Sequence, residues 1–216
     1  MLFRSDKGFH GKLDHETVIS QIHCLPENRD GRKIPFELIN ENPLPTLPDL
    51  LREVKLGGIE LSQINLTLRA DWFITGSKPF KEALSLADEQ GVYVLLSSIG
   101  FESFDDNILR NLNKGVSVKK NIETIRLIRQ LKEDFPRQLG YSTREGANHG
   151  FIHPTPWDTK ETAATIQKNI SHPATQGGGA GGPSKFGVKE NAPIKTELTA
   201  TPTHSTGQGL QDENRH

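Results

Sequence analysis

Residues 92–115 read VYVLLSSIGFESFDDNILRNLNKG, and their reading decides the fold. Residues 92–99 form an apolar, β-rich run, as expected of a strand buried on both faces. Gly100-Phe101-Glu102-Ser103 ends the strand, and a helix is predicted to start at once. Ser103 with Asp106 three residues on makes a capping-box pattern, and Ile108, Leu109 and Leu112 give one apolar helix face. Glu102 is then a carboxylate at the carboxyl end of a buried strand, beside a helix N-terminus. Ligands bind at that edge in α/β proteins. The alternative is that Glu102 only caps or solvates the helix start.

Strand and helix signals alternate on both sides of this stretch. Upstream, Asp14 can cap a helix through Val18, Ile19 and Ile22, which Pro26 stops. Residues 34–41 (IPFELINE) read as a strand ended by Asn40-Glu41-Asn42-Pro43. Thr46 and Asp49 then suggest a second capping box, before a stripe of Leu47, Leu50, Leu51 and Val54. Residues 63–69 (QINLTLR) read as the next strand, running into Ala70-Asp71-Trp72. A helix from Pro79 carries Phe80, Ala83, Leu84 and Ala87 and closes on Gly91. Downstream, a longer helix is predicted over 118–134. Residues 147–153 (ANHGFIH) form a last short strand, and Asp158 with Glu161 caps a final helix through Ile166 and Ile170.

Four strands alternating with helices demand a parallel sheet with right-handed crossovers. Their polar ends are Glu41 and Asn42, Arg69 and Asp71, Glu102 and Ser103, and His153 and Thr155. All four sets are expected on one rim, where converging acid, base and imidazole groups make a candidate ligand site.

Composition bounds the function. The chain has 216 residues, of which 33% are hydrophobic, with 20 Gly and 13 Pro. Eight of the 20 Gly and four of the 13 Pro lie in 171–216, whose GGGAGG run and polar end are expected to be a disordered low-complexity tail. Residues 1–5 (MLFRS) share no pattern with the rest of the chain. Leu-Phe-Arg-Ser is also encoded by a common sequencing-library adapter, so 1–5 read as an artefact or a disordered end, with the domain spanning 6–170. A net charge of −1 gives no case for binding nucleic acid through bulk electrostatics. No apolar run reaches the roughly 18–20 residues of a membrane span, and no signal-peptide pattern opens the sequence. The single cysteine, Cys24, excludes an internal disulfide and fits a reducing compartment, so a cytoplasmic location is expected.

The Gly-Phe-Glu-Ser strand end, then Leu109, Leu112 and Asn113-Lys114-Gly115, and the βα order resemble the radical S-adenosylmethionine enzymes. The resemblance covers about residues 9–170. It implies an α/β fold, a partial TIM-like (β/α) barrel comprising strands two to five, and a fragment of a longer enzyme. It further implies that Glu102, with Ser103, lies against the S-adenosylmethionine ribose. Glu41 or Asn42 would meet the methionyl amino group, although the usual Gly-Gly-Glu is replaced by Asn40-Glu41-Asn42. Arg69 would face the carboxylate. Ile152 and His153 would pack on adenine, with Pro154 where the family often has glycine. Residues 153–159 (HPTPWDT) most resemble members with an upstream cobalamin-binding domain, so cobalamin is a further implied cofactor.

The family's 4Fe-4S cluster needs three cysteine ligands, usually Cys-x-x-x-Cys-x-x-Cys, and this chain has Cys24 alone. The cluster and cobalamin regions are therefore expected upstream of these residues, and the chain alone is expected to be inactive. His10, His15, His23 and Cys24 do not complete a zinc set: the side chains of His23 and Cys24 diverge by about 100° on a helix, and no acidic partner is placed with them. Two functions stand at this point. One is a radical S-adenosylmethionine enzyme acting on a small-molecule substrate by radical or methyl-transfer chemistry. The other is a non-catalytic α/β binding or scaffold protein.

Overall fold

In the computed structural model the described residues are 15–39 and 42–171. They form an α/β fold whose strands all pair in parallel. In chain order the elements are α1 (His15–His23), β1 (Phe36–Leu38), α2 (Leu47–Leu56), β2 (Gln63–Arg69), α3 (Ala70–Thr75) and α4 (Ser77–Gln90). Then come β3 (Tyr93–Glu102), α5 (Asp106–Asn111), α6 (Val118–Asp134), β4 (Leu139–Gly140), β5 (Gly150–Phe151) and α7 (Lys160–Ile170).

The sheet order is β1-β2-β3-β4, with β5 also paired to β3. Strands thus add in sequence order without reversal. Right-handed crossovers that always advance in one direction keep their helices on one face of the sheet. Burial agrees. Ile64, Leu66 and Leu68 of β2 and Val94, Leu96, Ile99 and Phe101 of β3 share one core with the stripe of α2 (Leu47, Leu50, Leu51, Val54) and that of α4 (Phe80, Ala83, Leu84, Ala87). The opposite face carries Glu37, Gln63, Asn65, Thr67 and Arg69, all exposed or half-buried.

Several expectations are corrected. The strand expected at 147–153 is only Gly150–Phe151, and an unanticipated Leu139–Gly140 precedes it. Both pair with β3: Leu139 lies opposite Val94 and Gly150 opposite Gly100. They are two halves of one strand position, interrupted by residues 141–149. That excursion contains a 3-10 turn over Thr143–Glu145 and folds onto the otherwise open face. Burial, with the Glu145 carboxylate nearby, pushes the Tyr93 phenol up to about 12, and a side chain at Gly146 would stand 3.7 Å from Leu95. Leu95 is buried for this reason, so β3 is covered on both faces only along its first half.

Residues 70–75, expected to extend from a strand end, form α3, and the helix expected from Pro79 begins at Ser77. The N-cap of α5 is Asp105 rather than Ser103: its carboxylate accepts from Asn107 N and Ile108 N. Ser103 Oγ instead accepts from Asp105 N at 3.2 Å. Thr46 makes no cap bond; its hydroxyl donates to Pro43 O. The final helix is capped by Thr159 and Thr162, which frees Asp158 for other partners. The helix expected over 118–134 and the strand over 63–69 have those bounds. The cap proposed at Asp14, the residues Asn40 and Glu41, and the tail from 172 onward lie outside the described residues. No helix among the described residues is long and apolar enough to cross a membrane.

Candidate functional site

The carboxyl ends of β2 and β3 bring Arg69, Asp71, Glu102 and Lys114 together. Arg69 lies opposite Gly100 in the ladder, and Glu102 is two residues on along the same face. The Arg69 guanidinium grips Asp71 through Nε (2.9 Å) and Nη2 (3.0 Å), and Nη2 also donates to Lys114 O at 2.6 Å. It sits 5.3 Å from the Trp72 ring centroid. Asp71 holds the Arg69 guanidinium above its ordinary range, with a smaller contribution from Glu102. Lys114 Nζ closes the circuit on Glu102 Oε1 at 3.1 Å.

Glu102 has a backbone φ of +62°, a left-handed conformation unusual for a residue with a side chain. Ser103 N donates to Phe101 O at 2.7 Å across it. With positive φ at its centre this is the rarer, strained form of γ-turn. It sends the carboxylate back over Gly100, whose added Cβ would meet Glu102 Oε1 at 3.0 Å. Gly100 pairs with Gly150, so beside the carboxylate the sheet carries no side chain across two strands.

Of the other candidates expected from the sequence, Ser103 is buried and turned into the fold, its carbonyl accepting from Asn121 Nδ2 at 2.9 Å. Asn42 comes after β1, and its Oδ1 is buried without a hydrogen-bond partner among the described residues. Ile152 is exposed and donates its N–H to Glu102 O at 2.9 Å. His153 Nδ1 lies 3.1 Å from Asp158 Oδ2. Arg69 and Glu102 thus meet through Lys114, Ile152 adjoins Glu102, and Ser103 points away. Glu41 lies outside the described residues.

Two participants are not evident from sequence patterns. Lys114 stands out only as part of Asn113-Lys114-Gly115; the two-turn α5 between it and Glu102 is the signal that the chain returns to the same rim. Glu37 has the pattern of an ordinary strand residue. Its carboxylate takes Thr67 Oγ1 at 2.8 Å and Ser97 Oγ at 2.9 Å, joining β1, β2 and β3 on the open face. The alternation in QINLTLR is the signal that this face is polar.

Glu102 Oε1 takes Lys114 above the Gly100–Gly150 pair, and Asn42 Oδ1 is a buried acceptor after β1 with no hydrogen-bond partner among the described residues. A 4Fe-4S cluster does not fit these residues. Three thiolates are needed, and the chain has one, exposed on Cys24. Cys24 is also at the wrong end of the sheet. It adjoins Leu25, whose carbonyl accepts from Lys33 Nζ at 3.0 Å, and Lys33 bridges Leu61 just before β2 begins. The length of β2, about 20 Å, separates that rim from Arg69. Among the described residues no three His, Cys, Asp or Glu side chains gather as a metal site. No protein-family model matches the sequence, and no curated protein matches it.

Proposed function

We propose that residues 15–171 belong to a partial (β/α) barrel of the radical S-adenosylmethionine kind, an arc of strands two to five, whose carboxyl rim binds the adenosyl part of S-adenosylmethionine. The observation that carries this reading is the strained turn at Glu102, which holds a carboxylate over the side-chain-free Gly100–Gly150 pair. Backbone strain of this sort persists where the surroundings enforce it, commonly at ligand sites. Helix capping does not account for it, because Asp105 caps α5.

Glu102 is assigned to the ribose hydroxyls, with Lys114 holding its Oε1 and Oε2 left to accept. Asn42 Oδ1 is assigned to the methionyl ammonium. Arg69 is a poorer match to the carboxylate, since Nε and Nη2 already serve Asp71 and Lys114 O. Ile152 and His153 flank the adenine floor. The activity assigned to these residues is binding, with no redox step, and cobalamin has no assigned contact. A cluster-free binding protein is the second reading, favoured by the place of Cys24 at the opposite rim.

Calorimetric titration of the full chain with S-adenosylhomocysteine, which needs no cluster, tests the assignment. Binding is expected, and Glu102→Gln should weaken it at least about tenfold, since a charge-assisted bond is worth roughly 1.5–3 kcal/mol and the amide loses one acceptor oxygen. Absence of heat for both S-adenosylhomocysteine and 5′-deoxyadenosine would overturn the adenosyl reading. Equal affinity in Glu102→Gln would remove Glu102 from the site.

A further inference from the structure

The buried stripe of α6 is Val118, Asn121, Thr124, Ile125, Ile128 and Leu131. Its polar members, Asn121 and Thr124, are fully buried. Each reaches a strand end at the carboxyl rim. Thr124 Oγ1 donates to Ala70 O at 2.8 Å, just past β2. Asn121 Nδ2 donates to Phe101 O and to Ser103 O, both at 2.9 Å. Those two carbonyls flank Glu102, the residue with a φ of +62°.

Local criteria disfavour asparagine at this position. It is a weaker helix former than leucine, and its Oδ1 is buried without a hydrogen-bond partner among the described residues. A buried acceptor left unsatisfied destabilises the fold. Reversing the amide brings no relief, because Oδ1 would then face two carbonyl oxygens. Both Nδ2 hydrogens are used, one on each side of Glu102. Phe101 O also takes Ser103 N, and Glu102 O takes Ile152 N at 2.9 Å. All three carbonyls from 101 to 103 are therefore held, and one side chain holds the two that bracket the left-handed residue. A local rule broken in favour of a strained turn marks a residue kept for that turn.

We propose that Asn121 is the positioning residue of the rim site. From the packed side of the sheet it fixes the backbone at Glu102, and so sets the carboxylate over Gly100 on the open side. Asn121 touches no ligand; it acts through Glu102. Its effect on binding rests on the adenosyl reading, whereas its effect on the backbone does not.

Three readouts on the full chain test this assignment. A left-handed residue holds its amide hydrogen closer to its own Hα than helix or strand backbone does, so Glu102 should give a strong intraresidue NOE. Asn121→Leu, close in volume and without the orphan acceptor, should reduce that NOE to the level of strand residues such as Val94. It should weaken S-adenosylhomocysteine binding at least tenfold. It should also abolish the higher melting temperature of Glu102→Gly over Glu102→Ala, since a relaxed turn no longer favours glycine. Asn121→Ala, which introduces no clash, should behave in the same way. Thr124→Val is the control: it removes a buried hydrogen bond from the same stripe, so the melting temperature should fall while all three readouts keep their wild-type values.

An unchanged Glu102 NOE or a retained preference for glycine in the Asn121 variants would overturn the proposal. So would loss of the three readouts in Thr124→Val, or failure of both Asn121 variants to fold, because either result would make Asn121 a residue of general stability. A relaxed turn with unchanged affinity would overturn its role in binding. Absence of binding in the wild type, together with a relaxed turn in Asn121→Leu, would mark failure of the adenosyl reading alone.

Discussion

Leu66 and Thr67 are adjacent on β2, yet one is fully buried and the other exposed. Leu66 belongs to the face packed under α2 and α4, where the contacts are apolar and interlocked. Thr67 belongs to the face where Glu37, Ser97, Arg69 and Glu102 make a polar surface. The difference assigns stability to one face and leaves the other free to carry ligand chemistry. Substitution of these neighbours should separate the two roles. Leu66→Ala should cost about 3 kcal/mol, in the usual range for a buried leucine that leaves a cavity. Thr67→Ala should stay within about 0.5 kcal/mol, as for most surface changes. Chemical denaturation of both variants decides it. A cost at Thr67 approaching that at Leu66 would mean that the polar face is packed against something and is not open.

The open face is itself divided, because residues 141–149 cover its amino half. Two titratable groups in that excursion should make it acid-sensitive. His149 is buried, and burial holds its imidazole below the ordinary value of 6.5. Nδ1 accepts from Ile99 N and Nε2 faces Tyr141 O, which fits the neutral ring. The unfolded chain therefore binds a proton first, and the stability from the neutral ring is lost as pH falls below about 6.5. Glu145 behaves as a depressed carboxylate. Burial alone would raise it, but Lys132, Ser142 and two backbone N–H donors bring it from 4.5 down to about 2. Its contribution is complete above about 4.5 and disappears as pH falls toward 2. Melting temperature against pH should show two successive declines. His149→Gln should remove the upper one and Glu145→Gln the lower. A single decline in the wild type, unmoved by either change, would count against the excursion as a packed cover.

Much of the helix-facing half was legible in the sequence. The stripes of α2 and α4 and the bounds of β2 and α6 come from helical and strand spacing, because burial against one large core is what that spacing records. The polar face was harder to read. Residues 92–99 look like a strand covered on both sides, but Leu95 is covered by an excursion from fifty residues downstream. The short strand at Leu139–Gly140 has no pattern of its own; it is held by Val94, Leu95 and the Lys132–Glu145 pair. Lys114 and Glu37 join the candidate sites only through tertiary contacts. Rim residues at strand ends were legible since βα order fixes which end they occupy, whereas Ser103 was not, because the turn at Glu102 reverses its direction.

That turn gives the smallest expected effect and the sharpest probe of the open face. Because φ is positive at position 102, glycine should be favoured there over alanine by about 1 kcal/mol, since alanine retains a Cβ in a conformation that glycine adopts freely. Both variants lose the half-buried Lys114 pair alike, so their difference isolates the backbone. Glu102→Gly should also lie within about 0.5 kcal/mol of wild type, the relief of strain offsetting the lost ion pair and the added freedom of the unfolded chain. Both should lose S-adenosylhomocysteine binding equally, since neither carries a carboxylate. Stability and binding would then move independently at one residue, as a position kept for its ligand requires. Equal stability of Glu102→Gly and Glu102→Ala would show that the turn stores no strain. Retained binding in Glu102→Gly would show that the Gly100–Gly150 floor binds without the carboxylate above it.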